Sequence, residues 1–452
     1  MIARLFYPLL FAAVLLFRLA HVNILWVEEG YPLAAAARLL LGDFPYTQFW
    51  FDKPPLFPIF YTLFGAEPGL PLRLAGSLYV LLSAWCIGRL ARHLWSEKEE
   101  RIAAALTAFF LTFGIPATVM VIGPDLMLIP IQAAAVLAAW RRQALAAGLI
   151  TGIGLLINGK MLLFLPAVVV LQPAWLTAFA APQLLLVPVA LEYWQQVWVW
   201  GAMYSRDTFL TNPVAEGLKR TANWAGFHAA LVLSAPLTLW RDPHRLRWII
   251  WLTCAAAATV AGFRFAPRYY FLLLPPFLVL ASRAIANRPA LALLLLIPLV
   301  RFGPRYVELA ADNLHHRPHQ WADLSMEQDS RAVAAIIRQD TATLLVWGYR
   351  PEIYTLAYCP YGTFFLDSQP LTGVLADRHL TSSRPSATAL AAANRHRLLD
   401  EQPTWIVDGL GLYNPKLAIT QYPDLAEWFA NYHEVARTPG SILYRRNPPP
   451  KP

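Results

Sequence analysis

One sequence feature limits the fold more than any other: apolar runs of membrane-spanning length follow one another through residues 1–301 and then stop. A helix needs roughly 20 apolar residues to cross a bilayer, with a range of about 17–25. On that length the runs predict spans near 3–20, 71–91, 102–122, 125–140, 144–158, 160–172, 175–191, 223–240, 247–263, 269–284 and 289–302. That is about eleven crossings. The short, proline-led segment 54–66 reads as a helix lying along the interface, within a first outside loop over 21–70. The run from Leu5 to Leu19 has no small-residue cleavage site before His21, so it reads as an uncleaved first span.

Composition agrees with a polytopic α-helical membrane protein. Hydrophobic residues make up 57% and charged residues 14%, against about a quarter charged in an ordinary soluble domain. The net charge of +9 fits basic residues gathered on the cytoplasmic side better than nucleic-acid binding, because the chain has no long basic run. Cys86, Cys254 and Cys359 lack metal-ligand spacing, and no disulfide framework is expected.

Loop charges orient the spans. With the N-terminus inside, the inner loops hold Arg89, Arg92, Lys98 and Arg101, then Arg141 and Arg142, then Arg241, Arg245 and Arg247, then Arg283 and Arg288. The outer segments then hold Glu28, Glu29, Asp43, Asp52, Asp125, Glu192 and Asp207. An odd number of spans leaves the tail, residues 303–452, outside as well. That tail reads as a small α/β domain. Its strands are expected at Thr343 to Trp347, Trp405 to Val407 and Ile442 to Tyr444. Helices are expected at Ser330 to Arg338, Ala387 to Leu399 and Leu425 to Tyr432, with NPPPKP as a frayed end.

Ionisable residues beside spans are costly, which makes them functional candidates. Glu28 and Glu29 follow the first span directly. They either cap the next helix, expected from Leu33 to Leu41, or serve as a base or acceptor-orienting carboxylate. Lys53, fixed by Pro54 and Pro55, is a snorkelling lysine or a point charge for a lipid-linked phosphate. Asp125 begins an outside helix and Lys160 lies in Asn158-Gly159-Lys160. Arg264 and Arg268 break the positive-inside trend, and guanidinium forks suit phosphate oxygens. Four cations beside three carboxylates suit a reaction with an anionic leaving group and a nucleophile that must be oriented or deprotonated. A site facing away from the cytoplasm favours a polyprenyl-phosphate donor over a soluble sugar nucleotide. The segment YWQQVWVWGAMY, Tyr193 to Tyr204, is either an aromatic interface belt or a mobile cover over the donor.

These residues carry a resemblance. EEGYPLAAAARLLLGDFPYTQFWFDKPPL (Glu28 to Leu56), GPDLML (123–128), GLLINGKMLLFLP (154–166) and RYYFLLLPP (268–276) occur in the order found in GT-C membrane glycosyltransferases of the dolichyl-phosphate-mannose protein mannosyltransferase and aminoarabinose transferase type. The resemblance covers about two thirds of the chain, the part that is rich in predicted spans. It implies sugar transfer from a polyprenyl-phosphate donor to a lipid, glycan or protein acceptor at the outer face of the cytoplasmic membrane. It implies Glu28, with Glu29 and Asp125, as catalytic carboxylates, and Lys53, Arg268, Lys160 and Arg264 around the donor phosphate. Glu28 stands where the family usually has Asp. No cofactor or dedicated metal-ligand set is expected, though relatives differ in their use of a divalent cation. The alternatives are a lipid-linked sugar transporter without catalysis, or an inactive scaffold of the same fold.

Overall fold

The computed structural model describes residues 2–206, 208, 210–315, 317, 321–338 and 342–448. Asp207 and the last four residues of the NPPPKP end lie outside the described residues. Every predicted span overlaps a helix. Among the described residues, four helices have both the length and the apolar character to cross a membrane: Leu70–Leu94, Pro173–Arg206, Pro267–Asn287 and Pro289–Leu314. The other predicted crossings fall on shorter or interrupted helices. For example, the helix Glu97–Phe110 stops before Gly114 and Pro116, short of the predicted end at 122.

The membrane part is knitted by polar groups that the sequence leaves isolated among leucines. Arg18, fully buried, donates from Nη2 to the Val119 carbonyl at 2.6 Å and from Nη1 to that of Met120 at 3.0 Å. Gly76 makes room for it, since a Cβ there would stand 2.4 Å from Arg18 Nη1. The unpaired carbonyls at the end of the short helix Pro116–Val119 thus find a charged donor instead of lipid.

The segment 21–70 is more helical than the sequence predicts. The helix Val27–Leu40 starts six residues before the expected Leu33, so Glu28 and Glu29 sit in its first turn. Glu29 Oε2 accepts from the Trp26 N–H at 3.0 Å, closing that turn without the usual Ser or Asp cap. Gly42, just past the helix end, has φ +93°, a left-handed conformation that favours glycine. The proline-led interfacial segment forms the helix Leu56–Thr62.

The change of composition at residue 302 falls inside the helix Pro289–Leu314 rather than between folded units. Beyond it stands a four-stranded sheet of β1 (Leu344–Trp347), β2 (Trp405–Asp408), β3 (Tyr432–Arg437) and β4 (Ile442–Arg446), in the order β1-β2-β4-β3. β1 and β2 are parallel, whereas β4 runs antiparallel to both β2 and β3. β3 corrects the sequence reading, which carried a helix through Tyr432. The helix ends at Phe429, and the Pro439-Gly440 turn folds 432–437 back onto β4, where ladder hydrogen bonds replace helical ones. Arg350, buried, joins the helix Ser325–Ile337 to the sheet through Asp329 (2.7 Å) and the Ser441 hydroxyl (2.7 Å).

This sheet domain is pressed against the segment 21–70. Trp50 N–H donates to the Phe364 carbonyl at 2.8 Å, Arg38 Nη1 to that of Thr363 at 2.8 Å, and the Tyr361 hydroxyl to that of Ala34 at 2.9 Å. Gly30 meets the backbone of Glu352 so closely that an added Cβ would lie 2.4 Å from its nitrogen. Two segments some 320 residues apart therefore meet backbone to backbone.

Candidate active site

Glu28 and Glu29 are neighbours in sequence but face opposite environments. A helix turns about 100° per residue, so successive side chains leave on different faces. Glu29 points inward and is fully buried. Its Oε1 and Oε2 accept from Arg73 Nη1 and Nη2, both at 2.7 Å, and Arg73 also holds the Ile24 carbonyl at 2.8 Å. Both side chains of that pair have 0% exposure. Glu29 is thus set apart from the open cluster, and its visible work is to tie the helix Val27–Leu40 to the helix Leu70–Leu94.

Glu28 points outward. Its Oε1 lies 2.5 Å from Arg268 Nη1, and the two side chains remain 40% and 36% exposed. The pair is reachable, unlike the one beside it. From Arg268 the cluster continues through Tyr269, whose ring lies 5.8 Å from the Arg268 guanidinium and 3.2 Å from Lys160 Nζ. Lys160 Nζ then pairs with Asp125 Oδ1 at 3.0 Å, and Asn158 donates to the same oxygen at 3.1 Å. Asp125 occupies the first turn of the helix Pro124–Trp140, where the helix dipole favours a carboxylate. Asn158 caps the turn that presents Lys160.

A second set comes from the loop before Pro54. Lys53 Nζ lies 2.6 Å from Asp52 Oδ2, while the Tyr31 hydroxyl donates to Asp52 Oδ1 at 3.0 Å. Lys53 is 39% exposed at its side chain and faces the Tyr204 ring at 5.8 Å. Arg264 stacks on the same ring, 3.4 Å from its centroid, and its Nη2 donates to the Tyr204 carbonyl at 3.1 Å. Arg264 is itself buried, so it clamps the end of the helix Pro173–Arg206 to the hairpin that carries Arg268. That hairpin is strained: Phe263 and Phe265, flanking Arg264, have φ of +49° and +48°. Left-handed backbone at bulky residues costs about 1–3 kcal/mol each and concentrates where a site dictates the geometry.

The loop carrying Lys53 is pinned rather than mobile in its contacts. The Tyr46 hydroxyl donates to the Lys53 carbonyl at 2.8 Å. Gln196 gives its Nε2 to the Tyr46 carbonyl at 2.7 Å and accepts the Phe51 N–H on Oε1 at 3.0 Å. Gln196 lies in a stretch of π-helix, Trp194–Val199, within the Trp-rich segment. Such wide turns often mark functional positions in helices. Trp50 and Trp200 meet edge to face at 5.7 Å. One side of the aromatic segment is therefore docked on the site loop, and Trp194 on its other side remains exposed.

The structure accordingly links Glu28, Arg268, Lys160 and Asp125 through Tyr269, and Lys53 and Arg264 through Tyr204, and leaves Glu29 buried apart from them. It adds residues that sequence reasoning missed: Asp52, Tyr31, Tyr204, Tyr269, Tyr349 and Asp367. Asp52 was visible as the neighbour of Lys53. Tyr349 and Asp367 belong to the sheet domain, and no spacing in the sequence links them to residue 28. Burial raises the Tyr349 phenol well above its ordinary value, and the charges of Glu28, Asp367, Arg268 and Asp52 all act on it. Asp367, buried, is pushed up to about 7, chiefly by loss of water, with Asp52 raising it further and Lys53 opposing. Among the described residues, no group of three or more His, Cys, Asp or Glu side chains is placed to hold a metal ion.

No family model and no curated protein matches this sequence. Solved structures do match the fold. ArnT from Cupriavidus metallidurans bound to undecaprenyl phosphate superposes with a TM-score of 0.59 at 15% identity, over 97% of each chain. The same protein in its apo state gives 0.52 at 14% identity, again over 97% of each chain. The archaeal oligosaccharyltransferase AglB from Archaeoglobus fulgidus, in complex with an inhibitory peptide and a dolichol-phosphate, gives 0.50 at 12% identity, over 98% of this chain and 74% of that one. The chain has the GT-C membrane fold that these glycosyltransferases share.

Proposed function

We propose that this multi-pass membrane protein transfers a sugar from a polyprenyl-phosphate donor to an acceptor at the outer face of the cytoplasmic membrane. In this reading residues 1–302 cross the membrane about eleven times, and the domain from 303 stands outside with the site between the two. The observation that carries it is the half-exposed Glu28–Arg268 pair, flanked by the Asp52–Lys53 and Asp125–Lys160 pairs. Structures of the same fold hold undecaprenyl phosphate or a dolichol-phosphate, which supports this reading.

Arg268, Lys53 and Lys160 are each matched with a carboxylate. A donor phosphate reaching Arg268 competes for the guanidinium that Glu28 now holds. Arginine binds phosphate through the same fork it offers a carboxylate. Once displaced, Glu28 is freed from the guanidinium and can accept a hydrogen bond from the acceptor nucleophile. It then takes the proton of the acceptor nucleophile as that atom bonds to the sugar's anomeric carbon. The bond from that carbon to the phosphate oxygen breaks, and the charge left on the phosphate is met by Arg268, Lys53 and Lys160. Asp125 holds Lys160 in place. The cations carry the neutralising role, so no dedicated metal is required in this scheme.

Purified protein with radiolabelled polyprenyl-phosphate sugars tests this directly, comparing the natural chain with Glu28→Gln and Lys53→Ala. Transfer to an acceptor by the natural chain, lost in both variants, is the expected result. Equal transfer by all three would remove these residues from the reaction, and no transfer from any donor would remove the reaction itself.

A further inference from the structure

The helix Pro124–Trp140 carries Asp125 in its first turn and Trp140 at its last position. At about 1.5 Å per residue the two stand about 23 Å apart along the axis. Beyond Trp140 the helix closes in a doubly bonded turn. The Arg142 N–H donates to the Ala139 carbonyl and the Gln143 N–H to that of Ala138, both at 2.9 Å. The turn sets Arg142 in the left-handed region, at φ +56°. Glycine is the usual residue at that position of a helix end. Here an exposed arginine holds it, and the arginine lines a cavity of about 400 Å³.

Two further elements close the cavity. The chain leaves its helix after Val168 and resumes one at Pro173, and the break between them lines the space with Val169, Val170, Leu171 and Gln172. The helix Arg245–Val260 adds Arg247 and Ile250 from its first turns. Trp140 belongs to the lining too, and its ring meets that of Trp248 edge to face at 4.9 Å. The charge is one-sided. Among the described residues no carboxylate lines the cavity, and neither Arg142 nor Arg247 forms an ion pair. Arg92, Arg101 and Arg283, also from loops read as cytoplasmic, each hold a carboxylate. The positive-inside bias explains arginines in such loops. It does not explain two of them meeting on one largely apolar cavity without a counter-charge.

We propose that this cavity binds an anionic phospholipid of the bilayer, with Arg142 and Arg247 on its phosphate and Val169, Val170 and Ile250 against its acyl chains. Guanidinium forks suit phosphate oxygens. Basic pockets between spans suit anionic lipid headgroups. The cavity lies at the other end of the helix from Asp125, so this site is separate from the transfer cluster. It needs only that the chain sits in a membrane; in the orientation proposed above, it faces the cytoplasmic leaflet. The bound phosphate supplies the missing counter-charge and joins a helix end, a helix break and a helix start.

The test uses the full chain in detergent. Native mass spectrometry reads its affinity for dioleoylphosphatidylglycerol and for the zwitterionic dioleoylphosphatidylcholine. The natural chain should bind the anionic lipid at least about fivefold more tightly. Arg142→Gly suits the left-handed turn, so it should melt at or above the temperature of the natural chain. It and Arg247→Gln should each lose about fivefold in affinity for phosphatidylglycerol, the worth of one arginine near a charged headgroup. Arg245→Gln removes the same charge from the same helix start but lies outside the lining, and should bind as the natural chain does. Equal affinity for the two lipids overturns the proposal. So does an Arg142→Gly protein that keeps its affinity, or an Arg245→Gln protein that loses as much as Arg247→Gln, since the attraction would then belong to the whole basic surface.

Discussion

Glu28 and Glu29 share a helical turn and a side-chain type, yet one pair is sealed and the other open. Glu29 and Arg73 have no exposure and use both oxygens of the carboxylate against both ends of the guanidinium. Glu28 and Arg268 keep more than a third of each side chain accessible and meet through one oxygen. The difference teaches that an ion pair's role is set by what else can reach it. A sealed pair has no competitor, so its charges serve only the fold. An open pair can trade partners when an anion arrives, which is the property a transfer site needs.

The comparison is easiest to break from the sealed side. Removing one partner of a buried pair strands the other charge and costs about 3–5 kcal/mol. Arg73→Ala should therefore cut the yield of folded protein and lower its melting temperature sharply, as read by thermal unfolding in detergent. If Arg73→Ala melts normally, Glu29 is no structural anchor. On the open side the loss should appear in rate instead. Glu28→Gln should melt with the natural chain while transfer drops by about a hundredfold or more, the usual worth of a general base. A Glu28→Gln protein that turns over at full rate would make the open pair as structural as its neighbour.

The sheet domain offers a third contrast, driven by pH. The Asp367 carboxyl is raised to about 7 in the folded chain because it is buried, with a share from Asp52. Folded protein thus holds a proton that the unfolded chain gives up from about pH 4. Stability from this group is present at the acid end of that window and is lost as pH rises through about 7, by about 4 kcal/mol over the whole window. Glu401, raised to about 7 by burial, adds in the same direction. Melting curves from pH 5 to 8 should fall with pH, and Asp367→Asn should flatten the slope; an unchanged slope would exclude Asp367 as its source. The smallest effect is expected from metal removal. Dialysis against a chelator should leave the transfer rate unchanged, because Arg268, Lys53 and Lys160 carry the positive charge, and recovery of rate on adding back a divalent cation would contradict that scheme.

The membrane part of this architecture is legible because hydropathy has a length scale. The apolar runs mark helices by themselves, and the misplaced charges mark residues that meet in ion pairs and ring contacts. The partner of a given charge is not legible. Arg73 lies 44 residues from Glu29, inside a run that reads as an ordinary span. Nothing local separates the sealed carboxylate from the open one except one step around a helix whose start the sequence misplaces, since Trp26 is an unusual cap. β3 escapes the sequence reading because its residues, YHEVAR, lack an apolar alternation; the hairpin turn and β4 impose the strand. Tyr349 and Asp367 escape it for a third reason: only the docking of the sheet domain brings them near residue 28.

The helix Pro173–Arg206 has 34 residues, far more than a crossing requires. At about 1.5 Å per residue it runs close to 50 Å, against a hydrocarbon layer near 30 Å. Its far end holds Gln196 against the Lys53 loop and Tyr204 between Lys53 and Arg264. An over-long span meets a thinner or thicker bilayer by changing its lean. The lean of this one would be felt where the lysine and arginine sit, so under the proposed transfer reading the surrounding lipid would act as a mechanical setting on the reaction.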